Sequence, residues 1–439
     1  MRDAFHPASS TPRPLSALVA SLGPGAAAVA SHDAAGAPVW GLVADEYARD
    51  AADGRYRLKH VATPLPALLT RAGVRVSRAH DTASALAAIA ARDRGGKHAQ
   101  RGPRQSTNEV LMVAPTAFGF NAQAAQDNFF MHETTSSPSA PSGGSRVESV
   151  TEAALREHAG LVRALTEEAG VRVTLLEHAS APATPDAVFP NNWFSTHAAG
   201  EGGGGGGRGV AGPTLVYYPL KCPNRAAERR VDARAVLEAR LGSGGRLVDL
   251  SPAEGGALPA PFPPAPAFFE GTGVLVLDRV HGVAYVCLSE RADAGLAAAW
   301  AEAVGYQEVV TFHAVDARGA PVYHTNVMMA VGSGLAVVCL ASVRDSKERA
   351  RLRGALSRHH SVVDISLAQV DAMCGNVLEL EDGAGAPFLA MSTRAWTAFG
   401  ADGRKELLRG GAASLVHAPF DTIEEVGGGG VRCALGELF

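Results

Sequence analysis

Two carboxylates, a histidine, several amides and a thiol recur at the openings of similar stretches along this 439-residue chain. Asp186, Asn191 and Asn192 lie in TPDAVFPNNW, Glu270 in FFEGTG, His324 and Asn326 in YHTNV, and Cys374 in CGNVLEL. Cys433 ends the series in GGGGVRCALGELF. These are the parts of a cysteine-nucleophile site: a thiol to attack, an imidazole to move protons, and carboxylates and amides to hold a polar substrate. Each residue also has a plainer reading. Cys433 serves equally well as a small buried hydrophobe. The glycines before it permit φ > 0 and close approach of backbone to a ligand, and Arg432 would favour the thiolate if its side chain points there. On spacing alone the two readings stand level. His324 fits a satisfied structural imidazole unless Cys433 lies beside it. Glu270 fits a solvated cap or, better, a cavity carboxylate, and Asp186 fits a turn residue bonded to its own backbone. Cys374 competes for the nucleophile's part but is followed by a single glycine, and Cys287 and Cys339 read as packing residues within strands.

The elements that must position these residues repeat. GTGVLVLD, GVAYVCLS, a helical stretch and YQEVVTFHA form one copy; TNVMMAVG, LAVVCLAS, a helix and SVVDIS a second; GNVLELED, PFLAMS, a helix and ASLVHAPF a third. Each reads β-β-α-β over about 50 residues, a period that marks architecture. Two weaker copies fit upstream, from VLMVAPTAF to VRVTLLE and from AVFPNNWFST to GRLVDLS. One copy buries too little to stand alone. An α+β fold is therefore expected, in which five ββαβ units close around a pseudo-fivefold axis, leave a central cavity, and bring the copy starts together there.

Composition narrows the function classes. Hydrophobic residues make up 46% and charged residues 19%, so most of the chain can fold as one large domain or a few ordinary ones. A net charge of −4 without a block of like sign argues against a nucleic-acid partner, and no apolar run reaches the roughly 18 residues of a membrane span. Five scattered cysteines without C-x-x-C spacing read as reduced thiols of an intracellular protein. Nothing calls for a metal or other cofactor: the histidines form no H-E-x-x-H pair, and His359–His360 read as complementing a helix end. The Ala/Ser/Pro-rich opening of 31 residues has the composition of an organelle transit peptide, but a disordered leader is preferred. A cytoplasmic location is expected, with mitochondrion or plastid as the alternative. Residues 1–107 read as a poorly ordered or small helical extension, with short helices at 65–71 and 82–91 and a linker at 92–107, ahead of a catalytic domain at 108–439. The segments 131–145 and 201–209 read as flexible insertions.

MVAPTAFGFN, TPDAVFPNNWFSTH, EGTGVLVLD, YHTNVMM, GNVLEL and GGGGVRC, taken together over residues 110–439, resemble the guanidine-modifying (pentein) superfamily. That group spans arginine deiminase, dimethylarginine dimethylaminohydrolase and the amidinotransferases, and the chain looks most like its citrulline-utilisation hydrolase-type members. The resemblance implies a five-bladed α/β propeller and a cofactor-free hydrolase of C–N bonds in a guanidino or ureido amino acid, working through a covalent S-linked intermediate. Cys433 would attack, His324 would shuttle protons and supply thiolate by pairing with Cys433, and Glu270 and Asp186 would hold substrate N–H groups. Asn191, Asn192, Asn326 and Arg432 would complete the substrate site. The sequence departs from the family where Asn191, Asn192, Asn326 and Gly273 stand at positions that carry acids in relatives, which favours a neutral ureido group such as that of citrulline over a guanidinium. An amidinotransferase using an amine acceptor and an inactive pentein-fold binding protein remain as alternatives. The expected partner is a small-molecule substrate, and a homodimer is left open.

Overall fold

A computed structural model describes residues 103–133, 149–176, 183–203, 209–241, 244–258 and 266–439, and the backbone of four short strands within residues 28–58. Five sheets share one wiring. Four of them are three-stranded: β7-β8-β9 (Phe194–His197, Thr214–Tyr217, Arg246–Asp249), β10-β11-β12 (Val276–Asp278, Val283–Cys287, Glu308–Phe312), β13-β14-β15 (Met329–Val331, Leu335–Val338, Ser361–Asp364) and β16-β17-β18 (Leu378–Glu381, Pro387–Ser392, Ser414–Ala418). In each, the first two strands pair antiparallel and the third lies parallel to the second. A parallel return needs a crossover, and helices Val231–Leu241, Ala294–Val304, Ser346–Leu356 and Thr393–Arg409 supply it. In the fifth sheet, β5 (Glu109–Val113) lies parallel to β6 (Arg172–Leu176), joined through helix Val150–Arg163. Its first position is filled by the far end of the chain, because β19 (Gly436–Glu437) pairs antiparallel with β5. On the other side, β1 (Ala28–His32) pairs with β6 and β2 (Pro38–Leu42) with β1, while β3 (Tyr47–Arg49) and β4 (Tyr56–Leu58) pair separately. The fold is thus a mixed α+β one built from small sheets.

The central strands are apolar runs because both their faces are covered: every residue of β11 and of β14 is buried. The helices are delimited by local chemistry. Ser149 and Glu152 form a reciprocal capping box ahead of Val150–Arg163. Asp293 and Asp345 cap the starts of Ala294–Val304 and Ser346–Leu356, and Gly305, at φ 103°, ends the former in a left-handed turn. Helix Thr393–Arg409 is interrupted at Gly400, whose φ of 63° is not helical.

The expected first strands of the units begin later than their apolar pattern suggests. Four of the five open instead with one helical turn: Pro190–Asn192, Gly271–Val274, Thr325–Val327 and, at the chain end, Val431–Ala434. Pro190 presets the backbone of the first, and the asparagines favour such turns over extended chain. The turns gather: Pro190–Asn192 touches Gly271–Val274 and Val431–Ala434, and Gly271–Val274 also touches Thr325–Val327. Behind them β10 packs beside β13, β13 beside β16, and β19 beside β7.

Part of the segment read as a linker is packed. Gln105 Nε2 donates to Leu277 O at 2.8 Å and Val331 O at 3.0 Å, while its Oε1 accepts from Arg279 N at 2.8 Å, tying two units together. Most of the leader, the helices expected at 65–71 and 82–91, and most of the two insertions lie outside the described residues. No described helix is long and apolar enough to cross a membrane.

Candidate active site

The glycine run has a steric cause at nearly every position. Gly428 ends helix Asp421–Gly427 at φ 66°, in the left-handed region. A Cβ on Gly429 would stand 3.0 Å from the Phe189 ring, and one on Gly430 would stand 2.7 Å from Asn376 Oδ1. The run therefore lets the last helical turn press against Phe189 and Asn376 and set Cys433 between two other turns.

Cys433 is buried, with Sγ accepting from Asn376 Nδ2 at 3.2 Å and from Asn326 Nδ2 at 3.4 Å. Burial pushes the thiol's pKa up, and these amides and the Arg432 charge only partly offset it. The expected thiol–imidazole pair is not formed: no hydrogen bond joins Cys433 to His324, because the amides take the sulfur and Glu270 takes the imidazole. Nor does Arg432 turn toward a substrate. Its guanidinium is engaged by Glu437 Oε2 at 3.0 Å and Leu435 O at 3.1 Å.

His324 Nε2 lies 2.7 Å from Glu270 Oε2. Glu270 is fully buried, and its Oε1 accepts from the Lys221 backbone N–H at 2.9 Å while Oε2 stands 3.3 Å from Arg291 Nη1. Burial alone would raise the pKa of this carboxyl, but Arg291 and His324 hold it far below the usual range, so it stays ionised. Burial, together with the charges of Arg291 and Arg225, lowers the His324 pKa in spite of Glu270. The imidazole is therefore neutral, with its proton on Nε2 donating to Glu270, and Nδ1 is left as the basic nitrogen. Nδ1 faces Gly273, where an added Cβ would meet it at 2.8 Å and Asn192 Nδ2 at 2.3 Å. Gly273→Ala is accordingly expected to displace His324 and lower kcat about 100-fold or more, with a modest fall in melting temperature. Near-normal kcat in that variant would show that the ring's position does not matter.

The remaining predicted residues line the same place. Asp186 Oδ2 accepts from Asn121 Nδ2 at 2.8 Å and lies 3.9 Å from Arg225 Nε, while burial pushes its carboxyl up in spite of that neighbour. Asn192 Oδ1 accepts from Arg225 Nη1 at 2.7 Å. Arg225 also grips Glu228 with Nε at 2.9 Å and Nη2 at 3.0 Å. Asp186 Oδ1, both amide atoms of Asn191, Asn326 Oδ1 and Asn376 Oδ1 are buried without a hydrogen-bond partner. Several orphaned polar atoms in one buried region are what a polar ligand would satisfy.

Reading the sequence missed Asn376, Arg225 and Arg291. Asn376 was findable, since G-N-V occupies in its copy the place of T-N-V around Asn326. The arginines carried no comparable signal. Cys374, the rival thiol, donates to Ala395 O at 3.5 Å, and burial pushes it up to about 12, which fits a packing residue.

Residues 114–439 match the family profile described as eukaryotic N,N dimethylarginine dimethylhydrolase. No curated protein matches the chain in sequence. Among solved structures, apo ArgZ, an arginine dihydrolase from the ornithine-ammonia cycle in cyanobacteria, aligns with TM-score 0.50 and 16% identity, over 75% of this chain and 40% of that one. Unliganded AgrE gives TM-score 0.50 and 16% identity over 75% of this chain and 39% of its own. The N-terminal domain of an ArgZ variant, covalently bonded to a reaction intermediate, gives TM-score 0.50 and 15% identity over 75% of this chain and 97% of the domain. The chain thus spans about 40% of the length of full ArgZ. At such identities the likeness is one of fold.

Proposed function

The chain belongs to the N,N dimethylarginine dimethylhydrolase family, and from that premise we propose that it is a cysteine-nucleophile hydrolase of a C–N bond in a ureido or guanidino amino acid. The single observation that carries the reading is a buried thiol held between two amide donors, one of them two residues from a neutral imidazole fixed by the buried Glu270. The five units close into a propeller with β19, β7, β10, β13 and β16 innermost, a reading supported by the shared wiring and by the contacts among their opening turns. The substrate's central carbon lies between Sγ and the imidazole, which explains why the two do not bond each other.

Once substrate bridges them, the thiol proton passes to Nδ1 of His324. Sγ adds to the central carbon, and the displaced π pair moves onto the attached heteroatom. The adduct collapses by expelling a nitrogen, which takes the proton from Nδ1 as it leaves. Water then adds to the S-linked intermediate, giving its proton to the imidazole, and the C–S bond breaks with its pair returning to sulfur, which takes that proton back from Nδ1. Asp186 accepts substrate N–H groups, and Asn191 and Asn326 supply neutral donors and acceptors.

The preferred substrate is a neutral ureido compound such as citrulline. Arg225 already places a cation on Asn192 Oδ1, so a second guanidinium at that amide would meet like charge where relatives are read to carry acids. Steady-state kinetics with citrulline, arginine, agmatine and dimethylarginine test this. Citrulline is expected to have the highest kcat/KM, and a clear preference for arginine would overturn the substrate assignment while leaving the hydrolase reading in place.

A further inference from the structure

Away from the thiol and imidazole, the hairpin between β10 and β11 meets the segment that leads into β15. Asp278 ends β10, His281 sits on the hairpin turn, and His360 immediately precedes β15. One oxygen of the buried Asp278 carboxylate lies 2.9 Å from His281 Nδ1, and the other lies 2.9 Å from His360 Nε2. The three potential ligand atoms lie within 4.8 Å of one another. We propose that Asp278, His281 and His360 bind one divalent transition-metal ion of the zinc class, reversibly clasping the β10–β11 hairpin to the neighbouring β13–β15 unit.

Two imidazole nitrogens and one carboxylate oxygen are a donor set suited to zinc, cobalt or nickel rather than to calcium or magnesium. Zinc bonds of about 2.0–2.1 Å in a tetrahedron set ligand atoms about 3.3 Å apart. The two Asp278–histidine separations, at 2.9 Å, need to open by only a few tenths of an ångström, and the two imidazole nitrogens lie within 4.8 Å of each other. The His281 side chain is 26% exposed, which gives an entry path and room for water in the fourth position. Its ring is held in place by His359, stacked at 3.7 Å and 6°.

The His360 side chain is 1% exposed, and its bond to Asp278 commits the buried imidazole to this spot. Asp278 also accepts from the His281 backbone N–H at 3.0 Å, which fixes its carboxylate against the hairpin turn. His359–His360 therefore do more than complement a helix end, since His360 points inward at a carboxylate.

The test uses the full chain carrying Cys433→Ala, so that the thiol cannot contribute a ligand. Zinc is titrated by calorimetry, and cobalt(II) is followed by its visible d–d absorption. One ion per chain with tetrahedral-type bands is expected, and His281→Ala is expected to weaken binding about tenfold or more. Asp278→Asn and His360→Ala serve as further ligand deletions, each checked by circular dichroism. Should the buried variants misfold, His281→Ala decides, because its side chain is partly exposed. Absence of one-to-one binding in the Cys433→Ala chain, or unchanged affinity in His281→Ala, would overturn the proposal.

Discussion

Cys433→Ala is expected to fold with nearly unchanged melting temperature and to lose turnover by about 10³-fold or more, because no other side chain replaces an attacking nucleophile. The volume removed is one sulfur atom, so the stability change is expected to stay within about 1 kcal/mol. A haloacetamidine reagent is expected to add mass at Cys433, with citrulline blocking the reaction. The pH dependence follows from the environment of the thiol. Burial raises its pKa, so the free enzyme holds mostly thiol at neutral pH, and both alkylation and kcat/KM are expected to climb as pH rises above neutrality. A profile already flat from pH 6 would mean that the resting enzyme carries a thiolate. Turnover retained by Cys433→Ala, or labelling that moves to Cys374, would remove Cys433 from its assigned role.

How far the site was legible from sequence depends on the range of the interactions that build it. The ββαβ copies could be read because apolar runs, glycine turns and caps such as Asp293 and Asp345 are set by residues a few positions apart. The convergence of Asp186, Asn191, Asn192, Glu270, Asn326 and Cys433 followed from that repeat, since similar units place their starts alike. Pattern reading failed at the opening turns. GTGVLVLD has the composition of a strand, but Gly271–Val274 coils because Thr272 Oγ1 donates to Asn191 O at 3.2 Å, a contact made across 81 positions. The partnership of His324 was likewise decided remotely, by a carboxylate that Arg291 and the Lys221 backbone hold in place. Arg225 and Arg291 could not be singled out among 40 lysines and arginines, because their burial depends on Glu228, Asp127 and Glu270 being folded around them.

Glu270→Ala is expected to be the most damaging single change for stability and activity together. Its carboxylate is a hub, receiving the Lys221 N–H and the His324 Nε2–H and neutralising the almost fully buried Arg291. Removing it leaves three donors short of an acceptor, two of them on buried side chains, and Arg291 keeps the partly exposed Asp127, the Ala124 carbonyl and the face of the Tyr323 ring. Breaking such a pair from one side costs about 3–5 kcal/mol, a large share of the roughly 5–15 kcal/mol that holds a domain folded. The sign of the pH effect is fixed by the depressed folded-state pKa. Stability contributed by the ionised carboxylate is fully present above its ordinary value of 4.5 and is lost as pH falls toward the much lower folded value. The gap in unfolding free energy between wild type and variant is therefore expected to be constant from neutral pH down to about pH 5 and to narrow only in stronger acid. Glu270→Gln separates the two roles: it keeps an acceptor for Lys221 N while losing the charge, and kcat is expected to fall about 10²-fold or more through His324. A Glu270→Ala protein that melts within a degree or two of wild type would show that Arg291 and His324 are held by other contacts.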